Sequence, residues 1–345
     1  MKTIAIVAAK PFVVNAVLPT IMPDHAEHRI VIVPYWIWGM FRKFAMPRGL
    51  RMSDMPYTGT PHWMHWDMPD MSVAYERNGD GRIPLEMSQF EALATADEII
   101  CMTDASPVEA HSAAMLMAHA FGMSMIGDDY ASLERIGEPN AKEPLPFPEV
   151  RYLPLDSLKA EDVKRNWMRG LTTHSPEFLD LVKQQCCIRF FNIAFQVNSR
   201  MILDSILRDL NPAYEGGMII KSSLQILYVI ADNCGMSMDR LKRVMIEWKG
   251  TGRHPDVPIG ELANRHQAVE NLANAGLIRI KNDMYTVSPV GASFLAALHK
   301  DCRDVDQFAR LDAWARQWPA SRPAVEKYLR TFFGKQKRLN GRSSD

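Results

Sequence analysis

With 345 residues, 47% of them hydrophobic and 23% charged, the chain is long enough to bury a sizeable core and to divide into two or more domains. Its most apolar stretch, Ile30 to Phe44, is broken by Pro34 and Gly39 and carries Arg42 and Lys43, which excludes a membrane span there. Net charge is zero, yet residues 1–150 hold 11 Lys+Arg against 19 Asp+Glu, leaving 29 against 21 for the remainder; a part suited to phosphate thus follows a part suited to a metal or a partner.

The opening run Thr3–Ala8 is apolar and is closed by Lys10 and Pro11, so it fits a β-strand better than a cleaved signal, and the expected location is the cytoplasm, away from membranes. Arg29–Trp36 and Glu98–Thr103 have the same β-branched character, whereas Ser88–Ala96 and Pro107–Ala120 are helical in pattern; the first 138 residues therefore predict an α/β domain. Between Met46 and Pro84 lies an aperiodic stretch rich in Pro, Met, Trp and His. There His62 and His65 either bind a metal or line a loop packed by Trp63 and Trp66, and the packed loop is the simpler reading. Cys101, Cys186, Cys187, Cys234 and Cys302 form no C-x-x-C pair, as befits reduced, mostly buried thiols.

Pro139, Pro144, Pro146 and Pro148 mark residues 139–150 as a linker, and residues 151–215 read as a helical segment whose main helix, single or doubled, runs from Pro176 to Leu210. After a break at Asn211–Gly217, residues 216–300 predict helices at Ser222–Asn233, Ser237–Trp248 and Gly260–Ala275. A hairpin turning at Asn282-Asp283 follows, then a helix capped by Ser288, an order that suggests a winged-helix unit. Residues 301–345 predict a last helix and a basic tail, Lys335–Arg342, expected to be disordered. In that end Arg330, Phe332, Phe333, Lys335, Lys337 and Arg338 either stack on unpaired bases or form an amphipathic helix.

Several segments, in order, carry a family resemblance. Ala9-Lys10-Pro11 ends the first strand where a Glu-Lys-Pro would stand; Pro34–Phe41 matches a strand and turn with Met40 in place of histidine; and Asp104-Ala105-Ser106-Pro107-Val108 matches an Asp-x-Asp-x-Glu motif. Phe195–Arg200 is similar to a helix ending in Asn-x-Ser-Arg, one residue tighter, and Ile259–Gly291 to a Gly-Thr-Pro-x-Thr-Arg helix, wing and closing helix. The set resembles the type IA DNA topoisomerases, especially the topoisomerase III branch, over most of residues 1–300. The resemblance implies a fold of class α/β plus all-α: an N-terminal Toprim-like α/β domain followed by a helical DNA-holding domain with a winged-helix unit.

It also implies a degenerate site. Toprim chemistry needs a glutamate and clustered aspartates around Mg²⁺, which demands hard oxygen ligands. The matching positions here are Ala9, Asp104, Ser106 and Val108, so no cofactor is expected; Glu109, one residue further on, would serve as a ligand only in a shifted helical register. The family's tyrosine-bearing gate domain has no counterpart in the sixty or so residues between Arg200 and Gly260, where Tyr214 and Tyr228 read as core or surface residues. What the resemblance leaves is DNA binding, the sense in which Lys10, Arg200, Lys242, Arg243, Arg253, Arg265 and His266 are retained, with single-stranded or junction DNA as partner. The competing readings are a structural or adaptor subunit that uses the same frame for protein contacts, and an active topoisomerase or Toprim nuclease with relocated residues.

Overall fold

The computed structural model describes residues 1–35, 43–45, 47, 49–59, 62–64, 73–79, 81–121, 136, 145–217, 219–260 and 265–342. The chain forms two compact units, one of Met1–Met46 with Pro61–Cys186, the other of Pro47–Thr60 with Cys187–Asp345. No helix among the described residues is long and apolar enough to cross a membrane.

The first unit is built on β1 (Thr3–Ala8), α1 (Pro11–Ile21), β2 (Arg29–Pro34), β3 (Lys43–Ala45), β4 (His62–Met64), β5 (Val73–Asn78), β6 (Gly81–Ser88), α2 (Gln89–Ala94), β7 (Glu98–Asp104), α3 (Pro107–Ala120), β8 (Arg151–Leu155) and α4 (Ala160–Met168). Six strands form a mixed sheet in the order β6-β5-β2-β1-β7-β8, parallel from β2 to β8 and antiparallel at the β5–β6 edge. The inner strands are apolar at nearly every position because both faces are covered. Ile4, Ile6, Ile30, Ile32, Ile100, Met102 and Leu153 meet Val13, Val14, Val17 and Leu18 of α1 and Val163 of α4, while α2 and α3 pack against β2 and β7.

Two expectations need correction here. Arg151–Leu155 does not open a helical segment after a linker; it is the sixth strand, paired in parallel with β7 from Ile100↔Arg151 to Asp104↔Leu155, and the unit continues to Cys186. Pro154 disguises it, since proline argues against a central strand, but β8 lies at the sheet edge, where a missing amide is tolerated. The aperiodic stretch after Met46 contains β4, which pairs antiparallel with β3 just before that stretch, Phe44 opposite Trp63, and the start of the β5–β6 edge. Met40, His65 and Trp66 lie outside the described residues.

A long helix, α5 (Pro176–Asn198), leads into the second unit. It passes through a π-helical turn at Ser199–Leu203 into α6 (Asp204–Leu210), followed by α7 (Ser223–Asp232), β9 (Met236–Ser237), α8 (Met238–Ile246), α9 (Arg265–Asn274), β10 (Ile278–Lys281), β11 (Met284–Val287), α10 (Pro289–Ala297), α11 (Gln307–Ala315) and α12 (Arg322–Arg342). Three short strands form an antiparallel sheet in the order β10-β11-β9. Asn282 and Asp283 both adopt positive φ, 50° and 57°, as a tight two-residue hairpin turn requires. The hydroxyls of Ser237 and Ser288 accept from the amides of Arg240 and Gly291, fixing where α8 and α10 start.

The aromatic core of this unit gathers Phe190, Phe191 and Phe195 of α5 with Trp314, Trp318, Tyr328, Phe332 and Phe333. The basic tail is therefore not disordered: α12 continues to Arg342, and Phe332 and Phe333 are core residues rather than stacking platforms for bases. Its polar side chains are bound to the rest of the unit. Gln336 is fully buried and accepts from the His299 amide at 2.6 Å, Asn340 Nδ2 donates to Ile202 O at 3.1 Å, and Lys337 Nζ donates to Met55 O at 3.0 Å. The segment Pro47–Thr60 is held in the same unit by Asn198, whose side chain exchanges two 2.7 Å hydrogen bonds with the Tyr57 backbone, and by Arg330, which donates to Thr58 Oγ1 at 3.1 Å.

Candidate functional site

In the first unit the chemistry-bearing positions sit at the carboxyl ends of adjacent parallel strands, where open α/β sheets carry their sites. Ala9 and Lys10 follow β1, and Asp104 ends β7 beside it. Ser106 caps α3 through its hydroxyl, so the helix begins in its ordinary register; Val108 then falls in the first turn and Glu109 at the third helical position. From there Glu109 reaches back. Its Oε2 accepts from the Asp104 amide at 2.7 Å and from the buried Tyr35 hydroxyl at 3.3 Å. Lys10 Nζ is bonded to Asp104 Oδ2 and lies 3.6 Å from Glu109 Oε1.

The cluster thus consists of two carboxylates, one ammonium and one phenol. Glu109 needs no shifted register to join it, and the Ser-x-x-Glu spacing of Ser106 and Glu109 was the sequence signal that could have placed it there. Burial raises the Glu109 carboxyl above its ordinary range, and the nearby Asp104 charge adds to this, against the Asp104 amide and Lys10. Burial also pushes Tyr35 well up, with Glu109 contributing. The hydrogen bond to Asp104 raises Lys10 and keeps it charged.

The Mg²⁺ that Toprim chemistry needs does not fit these residues. Ala9 and Val108 offer no oxygen, the Ser106 hydroxyl is engaged as a cap, and both carboxylates are already joined by the Lys10 ammonium. Among the described residues no group of three or more His, Cys, Asp or Glu side chains could hold a metal ion.

The raised Glu109 carboxyl has a consequence for stability. Between the ordinary carboxylate pKa and its own higher value, the folded chain holds more protons than the unfolded one, so this group makes stability fall as pH rises. Glu109→Gln, which retains an accepting oxygen, should flatten that fall, whose slope is at most about 1.4 kcal/mol per pH unit. Urea unfolding at several pH values from 4 to 7 measures it; identical slopes in the two proteins would contradict the assignment.

In the second unit the expected phosphate contacts separate. Arg265, at the start of α9, is only 8% exposed, and its Nε donates to Ile259 O at 3.1 Å, so its role is to fasten the preceding loop. His266 is exposed and lies 3.1 Å from Glu270 Oε1. Lys242 and Arg243 on α8, Arg253 in the loop that follows, and Arg200 on the π turn are all exposed.

Sequence reading missed two cations. Arg279 and Lys281 are exposed and alternate along β10 with Ile278 and Ile280, so both stand on one face of the hairpin, opposite Thr286 and Met284. Ile278, on the other face, is buried. The alternation Ile278-Arg279-Ile280-Lys281 was visible in the sequence and places the two cations together on one face, while toward the hairpin tip Ile280 on the other face is exposed as well. Neither these two nor Lys242, Arg243 and Arg253 pair with another described acidic residue.

Comparison with family models and with curated proteins finds no match to this chain.

Proposed function

We propose that the chain binds single-stranded or junction DNA without cutting it, as a type IA topoisomerase-like accessory protein. The observation that carries this reading is the second unit's element order. The succession α7-β9-α8-α9-β10-β11, with the sheet order β10-β11-β9, supports a winged-helix reading, and the outward cations on α8 and β10 have no described acidic partner. Exposed arginines and lysines without an acidic partner among the described residues suit a phosphate backbone, whose binding releases counterions. The parallel strands β2-β1-β7-β8, with Lys10 and Asp104 at their carboxyl ends, support the Toprim-like reading of the first unit.

Cleavage lacks support on both sides of the reaction. The acidic cluster is closed by Lys10, and neither tyrosine between Arg200 and Gly260 is set up as a nucleophile. Tyr214 donates to the buried Asp204 at 2.7 Å, and burial pushes Tyr228 up to about 12, so its phenolate is scarce at neutral pH. One observation favours the adaptor reading: Ile280 and Met284 at the hairpin end are 54% and 42% exposed, an apolar tip suited to a protein surface.

Fluorescence anisotropy with a labelled oligothymidylate across a salt series decides between them. Binding through several phosphates gives a log–log salt slope of about −0.7 for each phosphate contacted on a single strand. Absent binding, or affinity indifferent to salt, refutes the DNA reading and leaves the adaptor. A covalent protein–DNA adduct trapped with denaturant would refute the non-cleaving part.

A further inference from the structure

We propose that Arg200, Arg208 and the Gly216-Gly217 turn form a seat for one phosphodiester group; this deepens the DNA-binding reading and rests on it. The π turn at Ser199–Leu203 and the helix α6 that continues it carry Arg200, Asp204 and Arg208 at successive intervals of four, so the three side chains follow one another along one side of the helical segment. Asp204 is the anchor of the row. It is 1% exposed and accepts from the Tyr214 hydroxyl and from the Gly217 amide, each at 2.7 Å, which draws the 211–217 loop down onto the helix.

The loop meets the two arginines through its glycines. A β-carbon on Gly216 would stand 3.1 Å from Arg208 Nη2 and 3.2 Å from Asp204 Oδ2, and one on Gly217 would stand 3.3 Å from both Nε and Nη2 of Arg200. Both glycines have positive φ, 96° and 75°, a backbone that side chains disfavour, so glycine is required twice over. Two guanidinium groups are thereby held beside a bare stretch of backbone.

Those groups are not consumed internally. Arg200 and Arg208 are exposed, and neither forms a hydrogen bond or ion pair with another described residue. Asp204 instead accepts from Tyr214 through Oδ1 and from Gly217 through Oδ2. Burial raises the Asp204 carboxyl, against the Gly217 amide, the Tyr214 hydroxyl and the charges of Arg208 and Arg200. The exposed acids nearest in sequence, Asp209 and Glu215, pair with neither arginine. Planar guanidinium donors held in this way match the oxygens of a phosphate, which accepts from them in pairs.

The test uses the full chain and a fluorescein-labelled oligothymidylate in a salt series, with Arg200→Ala/Arg208→Ala compared with wild type and with the hairpin pair Arg279→Ala/Lys281→Ala. The seat predicts that the first pair weakens binding at least about tenfold near 0.1 M salt. It also predicts a shallower log–log slope, by about 0.7 to 1.4 for one or two lost phosphate contacts. Arg200→Lys/Arg208→Lys should keep the wild-type slope and still bind several-fold more weakly, because the charge remains and the planar fork does not. If the alanine pair melts early, the lysine pair carries the test. Wild-type affinity in the lysine pair, or wild-type affinity and slope in a folded alanine pair, overturns the seat; if the hairpin pair is weakened at the same time, the DNA reading stands without it. No binding by the wild-type chain removes the DNA reading and the seat together.

Discussion

Reversing both charges on the outward face of the hairpin, with Arg279→Glu and Lys281→Glu, is expected to weaken oligonucleotide binding by about 100-fold or more, on the order of 3 kcal/mol near 0.1 M salt. Two attractive contacts are lost, and two carboxylates are set against a polyanion where the strand points its side chains outward. Both positions are exposed and form no described ion pair, so the melting temperature should move little. The effect should shrink as salt is raised, since the repulsion is screened over about 10 Å at 0.1 M. Anisotropy titrations at three salt concentrations measure this. Binding that survives the reversal unchanged would move the DNA surface away from the hairpin.

The largest effect on stability is expected at Gly291. A β-carbon there would stand 2.1 Å from Leu277 O and 3.0 Å from both Leu277 C and Val287 Cγ1. The obstacle is backbone, and it is pinned: Leu277 O accepts from the Ser288 amide at 2.9 Å, while the Ser288 hydroxyl donates to Gly276 O at 2.5 Å and accepts from Gly291 N at 2.9 Å. Admitting even a methyl group means lifting α10 off the strand junction and breaking this bridge. Gly291→Ala should cost about 3 kcal/mol or more, at the upper end for overpacking, because no flexible side chain can give way. Gly341→Ala is the control, since nothing lies within 4 Å of its added carbon; within α12 it should be neutral or stabilising by up to about 1 kcal/mol. Chemical denaturation of the three proteins checks this, and a Gly291→Ala chain as stable as wild type would mean that α10 is not seated as described.

Where the sequence was read correctly, one local rule acted without competition. Thr3–Ala8 is an unbroken apolar run and forms β1, Pro107–Ala120 follows a serine cap and forms α3, and Asn282-Asp283 can take the positive φ that a tight hairpin needs. Reading failed where tertiary context decides. Arg151–Leu155 contains a proline that only an edge position excuses, and β6 is largely exposed, so its sequence lacks the apolar stripe that betrays a buried strand. The Lys335–Arg342 segment looks solvated by composition, yet Gln336, Lys337 and Asn340 find partners that lie far away in the chain.

The candidate sites divide in the same way. The place of Asp104 at the end of a strand was legible from residue types, but that Glu109 joins it and Lys10 closes the space between the two is a fact of helix capping and strand adjacency. Arginine type and spacing alone could not separate Arg265, turned inward to a carbonyl, from Arg243, left in solvent. For the hairpin the missing step was to use the alternation along β10 to assign a face.

The excursion of Pro47–Thr60 into the second unit makes the molecule indivisible by a single cut. A fragment beginning at Cys187 would lose the backbone that satisfies both ends of the Asn198 amide, a side chain with no exposure of its own, along with the carbonyl that receives Lys337. Dissection of this protein into halves therefore calls for a circularly permuted or co-expressed design in which that strip travels with its hosts.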